Sequence, residues 1–241
     1  MKIPSLMDML QAGMHFGHQV SRWHPKMKPY IFTDRNGVHI IDLEKTQEKL
    51  AETLTAVKNL AAEGKVIMFV TTKPQAKEVV KAAAIDCEMP YLVERWLGGM
   101  LTNFSEMKKL IRRYVDWKEK QATGEFERYS KKEQLDIQKQ LDKMDKTLVG
   151  LTKLERMPDV LFIPSLQREK TAVMEAERMS VPMIAVVDTN ANPNVADYFI
   201  PANDDAINSI RMISNLVAEA IKEGRAEFKR KNAENMNRQG K

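Results

Sequence analysis

Runs of consecutive apolar residues alternate along the chain with segments of helical periodicity. Residues 66–70 are all apolar, which is typical of a strand buried on both faces of a parallel sheet. Other apolar runs, three to seven residues long, occur at 91–93, 160–163, 181–187 and 198–200. Strands that alternate with helices imply right-handed crossovers, so the pattern predicts an α/β fold with a parallel central sheet. Helices are predicted over about 42–63, 74–85, 168–179 and 204–223.

A shorter β pattern precedes the first long helix. Two β-type runs, 30–32 and 38–41, flank a segment that contains Asn36 and Gly37. Asn-Gly between two such runs is a strong signal for a β-hairpin turn. We therefore predict a hairpin here, followed by a helix that Asp42 or a neighbour caps.

The middle of the chain has a different periodicity, because apolar residues there recur alternately three and four positions apart. This spacing places them on one face of each of two helices, and two such faces can cover each other. Asn103 with Glu106, and Ser130 with Glu133, have the spacing of capping boxes. We predict an antiparallel coiled-coil helical hairpin inserted into the α/β domain. Its stripe residues are Met107, Leu110, Tyr114, Trp117, Ile137, Leu141, Met144, Leu148 and Leu151.

These patterns divide the chain into three parts. We predict an α/β globular domain with a basic amino-terminal arm, built from 1–103 and 151–225. The hairpin insertion occupies 104–150, and 226–241 forms a basic, flexible tail. A chain of 241 residues can bury a sizeable core in this arrangement.

Composition narrows the class of protein. Hydrophobic residues make up 43% and charged residues 29% of the chain, which is ordinary for a soluble globular protein. No apolar run approaches the ~20 residues of a membrane helix, and the first residues lack the features of a signal or transit peptide. We expect a cytoplasmic protein, in which the single Cys87 is a packed thiol.

The charge distribution favours an anionic partner. The net charge is +5 with a pI of about 9.1, and no acidic residue separates Arg22, Lys26 and Lys28. Segment 222–241 has seven basic against three acidic residues. A basic tail of this kind either binds an anionic partner or is merely solvated.

The sequence does not support an enzyme. A nucleotide-binding sheet needs a glycine-rich turn after its first buried strand, so that backbone amides reach phosphate. Residues 71–74 contain no glycine, and Pro74 lacks an amide donor. Neither a Walker loop nor a Gly-x-Ser-x-Gly elbow occurs. The rival hypothesis is a nucleotide- or flavin-binding enzyme that uses the carboxyl edge of the sheet.

Two groups of residues raise the question of a metal. His15 and His18 could share a cation or form a packed, hydrogen-bonded pair that fixes the arm. Asp188 follows an apolar strand, while Asp204 and Asp205 open a helix. The latter two carboxylates can complement the helix dipole; if the loops meet, all three can hold a structural divalent cation. No other cofactor is predicted.

Segment 95–103, Arg-Trp-Leu-Gly-Gly-Met-Leu-Thr-Asn, contains two adjacent glycines among large apolar residues. Adjacent glycines favour a turn with positive φ or a backbone pressed against a neighbour. The segment is therefore either a tight, partly buried turn or a docking surface.

The same nine residues resemble a signature of the family of the second protein of the bacterial small ribosomal subunit. Other segments resemble motifs of that family and follow in the family's order, so the resemblance extends from about residue 5 to about residue 225. These segments are 12–19, 25–32, 38–46, 158–162, 184–190 and 200–206, with Trp23 between the first two.

The resemblance implies a structural ribosomal protein with a flavodoxin-like three-layer sandwich and a coiled-coil hairpin. Such a protein binds small-subunit ribosomal RNA, contacts neighbouring ribosomal proteins and helps recruit the messenger-binding S-one protein. The resemblance implies neither a membrane partner nor a small-molecule substrate. A non-ribosomal scaffold remains the second alternative. The RNA-binding candidates are Arg22, Trp23, Lys26, Lys28, Arg95, Trp96, Lys108, Lys109, Arg112 and Arg113.

Overall fold

A five-stranded parallel sheet forms the centre of the computed structural model, which describes residues 3–239. The strands lie in the order β5-β4-β6-β7-β8, which is the 2-1-3-4-5 order of flavodoxin-like doubly wound folds. The predicted parallel α/β architecture is confirmed. The strands are β1 (Phe16–Gln19), β2 (Ile31–Arg35), β3 (Val38–Ile41), β4 (Ile67–Val70), β5 (Tyr91–Leu92), β6 (Val160–Ile163), β7 (Met183–Val187) and β8 (Tyr198–Pro201).

Helices cover both faces of this sheet. One face carries α7 together with α2 and α3, each of which contacts α7, and the other face carries α6 together with the proximal parts of α4 and α5. Asp42 caps the first long helix by accepting from Glu44 N at 3.1 Å, as predicted. The helices are α1 (Leu6–Gln11), α2 (Leu43–Ala62), α3 (Lys77–Asp86), α4 (Phe104–Ala122), α5 (Lys131–Leu148), α6 (Lys170–Met179) and α7 (Ile207–Gln239).

The all-apolar run of β4 separates two hydrophobic clusters. Successive side chains of a strand point to opposite faces, and Phe69 lies in the cluster beneath α2 and α7, while Met68 and Val70 lie in the cluster beneath α6. All three are fully buried. A strand covered on both sides has no polar face, which explains the absence of alternation in its sequence. Cys87 is buried as expected, and burial raises the pKa of its thiol to about 12.

A second, three-stranded antiparallel sheet has the order β1-β3-β2. Its β2–β3 turn has positive φ at both Asn36 (51°) and Gly37 (75°), as the predicted Asn-Gly hairpin turn requires. The third strand, β1, was not predicted. Its sequence is short and contains Gly17, so it lacks the apolar run by which the other strands were recognised.

Helices α4 and α5 contact each other. The hydroxyl of Tyr114 donates to Asp145, and Lys118 forms a 2.7 Å ion pair with the same carboxylate. The Ser130 capping box is present as predicted. The Asn103 box is not, because the Asn103 side chain makes no capping hydrogen bond; its φ of −137° and ψ of 50° are far from the extended geometry of Ser130.

Helix α7 differs from its predicted limits. It begins at Ile207 and continues to Gln239, whereas the sequence indicated an end near residue 223. Over the described residues, no helix is both long and apolar enough to cross a membrane.

Candidate nucleic-acid interface

The amino-terminal arm is attached to the carboxyl edge of the central sheet through Thr189. The hydroxyl oxygen of Thr189 accepts from His18 N at 2.8 Å, and its carbonyl oxygen accepts from His24 N at 2.7 Å. Gly17 lies so close that a Cβ built on it would be 2.6 Å from the Thr189 side chain. The close approach requires a residue without a side chain at position 17.

This attachment fixes a basic surface. The 3₁₀ segment Pro25–Tyr30 buries Met27 completely, while Lys26 and Lys28 on either side of it are exposed. Arg22 is exposed as well, and Trp23 is 37% exposed with its ring 5.6 Å from that of His39. The structure therefore brings these four predicted residues to the surface of one short segment.

The double-glycine turn is organised by Glu175 of α6. Its carboxylate accepts from the backbone N of Gly99 (2.8 Å), Leu101 (3.0 Å) and Thr102 (3.2 Å). It also accepts from the indole N of Trp96 at 3.0 Å and from the Thr102 hydroxyl at 3.2 Å. Burial tends to raise the pKa of Glu175, but the hydrogen bonds outweigh it and hold the pKa below its usual range.

Trp96 needs a correction, because it was predicted to contact RNA. Its side chain is only 7% exposed and packs in the cluster beneath α6. With its N–H bonded to Glu175, it anchors the turn and offers no open face for stacking. Arg95, the preceding residue, is exposed.

The hairpin candidates lie on two sides of α4. Lys109, Arg112 and Arg113 are exposed and Lys108 is half-buried, whereas Ile111 on the same helix is buried. Lys109 also pairs with Glu106 at 2.7 Å, which neutralises part of its charge. Arg113 faces solvent, whereas Lys108 and Arg112 line a cleft together with Ile111 and Leu154.

The predicted carboxylates meet at the carboxyl edge of the sheet. His18 Nδ1 lies 3.0 Å from Asp188 Oδ1, and ligand atoms of His18, Asp188 and Asp204 lie within 4.8 Å of one another. Asp205 is exposed and lies 3.4 Å from His18 Nε2. Lys73 Nζ is 3.0 Å from Asp204 and 2.8 Å from Asp205. An imidazole and carboxylates at these distances suit a divalent cation. The Lys73 ammonium would compete with such a cation for the carboxylates.

The protonation of this cluster reflects its burial and its like charges. The hydrogen bond with Asp188 raises the pKa of His18 above its ordinary value, even though burial opposes the shift. Burial and the nearby Asp188 carboxylate raise the pKa of Asp204, while Lys73 and Ser165 oppose the rise. His15 does not join this group: its ring is 4.0 Å from that of Phe16, and burial lowers its pKa.

The strand edge where a nucleotide enzyme would bind phosphate carries an acid instead. Glu169 accepts from Thr72 N at 2.5 Å and from the Thr72 hydroxyl at 3.0 Å. Its carboxylate therefore occupies the Thr72 amide that a phosphate would need after β4. Glu169 is also only 3% exposed. This arrangement disfavours the nucleotide-enzyme hypothesis independently of the missing glycine.

Sequence reasoning missed the residues that connect distant segments. Glu175 contacts residues 73 to 79 positions away, and Thr189 contacts His18 across 171 positions. Lys73 is likewise 131 positions from Asp204. A single acidic, hydroxyl or basic residue carries no local signal of such a contact.

Comparison of the sequence with known proteins shows which family the chain resembles. The family model of ribosomal protein S2 matches residues 9–224. The chain is 47% identical over 236 residues to the small ribosomal subunit protein uS2 of Helicobacter hepaticus, covering 98% of this chain and 88% of the relative. It is 48% identical over 222 residues to uS2 of Wolinella succinogenes, with coverages of 92% and 82%. The chain therefore belongs to the ribosomal protein S2 family, a structural family of the small ribosomal subunit and not a family of enzymes.

Proposed function

We propose that this cytoplasmic ribosomal protein binds small-subunit ribosomal RNA through two basic surfaces on a rigid α/β domain. The first is the arm surface, Arg22, Trp23, Lys26 and Lys28. The second is the α4 surface, Lys108, Lys109, Arg112 and Arg113, with Arg95 at the preceding turn. The observation that carries the proposal is the burial of Met27 between two exposed lysines. Basic side chains held on a fixed backbone suit contacts to phosphates.

The test is the salt dependence of RNA binding by the full chain. Each neutralised phosphate contributes roughly 0.7–0.9 to the slope of log affinity against log salt. Lys26→Ala and Lys28→Ala should each weaken binding and reduce the slope by roughly one unit. Arg178→Ala, which removes an exposed charge from the far end of α6, is the control. Affinity that does not change with salt would contradict the proposal.

We also propose that 104–150 is an inserted coiled-coil hairpin whose exposed basic side chains contact RNA. Support comes from the contacts between α4 and α5 and from the shared Asp145 carboxylate. The segment 1–103 with 151–225 is then the globular domain. The residues after 225 continue α7 up to Gln239 and supply a basic tail to the same RNA.

Recruitment of the S-one protein is proposed from the family resemblance. Small subunits assembled with and without this chain would be compared for retention of that protein. Equal retention in both would contradict the proposal without affecting RNA binding.

For the carboxylate cluster we propose a structural divalent cation held by His18, Asp188 and Asp204, with Asp205 in reach. Support comes from the distances among their ligand atoms. Calorimetric titration with Zn²⁺ and Mg²⁺ should show binding of one ion that Asp188→Asn abolishes. No heat of binding from either ion would refute the site.

A further inference from the structure

We propose that a cleft at the amino edge of the central sheet binds one unpaired nucleotide of RNA. This rests on the proposed RNA-binding function and adds a site at the edge opposite the arm surface. The cleft has a volume of about 380 Å³. It is enclosed by segments that precede three neighbouring strands, 64–66 before β4, 88–90 before β5 and 153–156 before β6, and by Arg225, Phe228 and Lys229 of α7.

The part of α7 beyond its predicted end forms one wall of this cleft. A Cβ built on Gly64 would be 2.8 Å from two atoms of the Phe228 ring, Cε2 and Cζ, so the ring packs directly on the turn between α2 and β4. Lys58 of α2 pairs with Glu227 at 2.7 Å and with Glu223 at 3.4 Å. These contacts fix this part of α7 to the domain, and a preformed cleft loses little conformational entropy when it binds.

The rim of the cleft is basic. Two of its cations are held by acids, since Arg225 pairs with Glu88 at 3.1 Å and Arg156 pairs with Asp159 at 2.9 Å. Lys153 and Lys229 are exposed and form no ion pair within the described part of the chain, so both ammonium groups are available to phosphate. Two acidic residues, Glu88 and Glu155, line the cleft against five basic ones, Lys65, Lys153, Arg156, Arg225 and Lys229.

The floor of the cleft is apolar. Val66, Met89, Pro90 and Phe228 line it, and each is half-buried. Proteins that bind unpaired nucleotides combine basic groups for the phosphates with an aromatic side chain for the base. The cleft offers both, with Phe228 as the ring on which a base packs.

The position of the cleft favours RNA over an acidic peptide as the ligand. Leu154 and Glu155 line this cleft and also the cleft that contains Lys108 and Arg112 of α4. The two clefts therefore adjoin each other across the segment before β6. One RNA strand that follows the basic residues of α4 would reach the amino-edge cleft without a gap, and a strand is the ligand that extends over both.

The experiment measures binding of the full chain to small-subunit particles that lack this protein, at several salt concentrations. Lys153→Ala and Lys229→Ala should each weaken binding and lower the slope of log affinity against log salt by roughly 0.7–0.9. Glu155→Gln should strengthen binding, because it removes a negative charge from the rim. Arg211→Ala is the matched control: it removes an exposed positive charge from the opposite end of α7 and should leave the slope unchanged.

A second variant tests the base. Phe228→Leu keeps an apolar side chain against Gly64 but has no π face, so it should weaken binding by about 5- to 100-fold. The salt slope should not change, since no charge is removed. Wild-type affinity of this variant would show a phosphate contact without a base and overturn the proposal of a nucleotide.

Crosslinking identifies the ligand directly. Cys87 is only 1% exposed, so a thiol-reactive photo-crosslinker should label Lys229→Cys and leave the wild-type chain unlabelled. After assembly into the particle, the label at position 229 should attach to ribosomal RNA. Attachment to a ribosomal protein instead would overturn the proposal in favour of an acidic protein segment.

The remaining outcomes separate this proposal from the proposed function. Unchanged slopes in Lys153→Ala and Lys229→Ala, with a reduced slope in Lys26→Ala, would refute the cleft and leave RNA binding by the arm surface intact. Equal losses in Arg211→Ala would show a general effect of charge and likewise refute the cleft. Binding of the wild-type chain that does not depend on salt would refute the RNA-binding proposal itself.

Discussion

At the scale of single residues, the carboxylate of Glu175 determines the shape of the double-glycine turn. Five donors converge on it, three of them backbone amides. Glu175→Ala should lower the free energy of unfolding by about 1–3 kcal/mol, because partly buried donors lose their acceptor. Urea denaturation measures the change. Glu177→Ala, an exposed neighbour on α6, should alter it by less than about 0.5 kcal/mol; equal effects would show that α6 itself was weakened.

The same carboxylate gives a pH dependence. The pKa of Glu175 is lower in the folded protein than its ordinary value, so the folded state favours the ionised form. Its stabilisation is complete above the unfolded pKa, about 4.3, and is lost as the pH falls through the folded pKa. The difference in unfolding free energy between wild type and Glu175→Gln should therefore be constant from pH 6 to 8 and shrink toward pH 3. A difference that grows on acidification would contradict this reading.

The two adjacent glycines should respond differently to substitution. Gly99 has a φ of +85°, and a Cβ there would lie 3.3 Å from Asn103 Cβ, whereas Gly98 has open space. Gly99→Ala should destabilise by about 1–2 kcal/mol because of the left-handed backbone, and Gly99→Val by more. Gly98→Ala should be nearly neutral. Thermal unfolding of both variants tests this, and similar losses at both sites would mean that φ does not determine the cost.

Prediction at the residue scale succeeded for local features and failed for long-range partners. The positive φ at Gly99 followed from two glycines in an apolar context, as did the Asn36–Gly37 turn. Trp96 was assigned to RNA because aromatic and basic neighbours are typical of such surfaces. Its actual partner, Glu175, lies 79 residues away, and no local pattern indicates that distance.

At the scale of elements, continuous apolar runs identified the central strands well. Residues 66–70 and 160–163 correspond to β4 and β6 within one residue, because burial on both faces leaves a strong signal. Strand β1 and helix α1 were missed: each is only four to six residues long and gains its structure from packing. The predicted end of α7 was too early, because the charged residues of its last turns resemble a basic tail.

The hairpin should be separable only in its distal half. Ile111, Tyr114, Leu141 and Leu148 are buried in the same cluster as the sheet, whereas residues 115–140 contain no buried side chain. Replacing 118–136 by a short loop should leave one cooperative unfolding transition with a small loss of stability. Replacing 105–150 should cost several kcal/mol, because four buried side chains are removed. Calorimetry measures the loss of stability in each variant. An equally small loss in both would place the whole hairpin outside the core.

At the scale of the whole molecule, the protein consists of a large parallel sheet and a small antiparallel sheet joined at Thr189. The parallel sheet was predictable because its strands are apolar throughout. The joint was not, because it depends on the fit of one glycine to one threonine. This fit sets the direction of the arm surface and, with it, the proposed contacts to RNA.

A double-mutant cycle tests that joint. Gly17→Ala would place a Cβ 2.6 Å from Thr189 Cγ2 and 2.8 Å from its hydroxyl oxygen, and overpacking of a fully buried residue should cost about 1–3 kcal/mol. Thr189→Ala removes both atoms and leaves His18 N without its acceptor, at a similar cost. The double variant should lose less stability in urea than the sum of the two, because the clash with the Thr189 side chain disappears and only the 3.1 Å approach to the His39 carbonyl oxygen remains. Additive losses would show that the small sheet shifts to accommodate the new methyl group, and the arm surface would then be held by its other contacts.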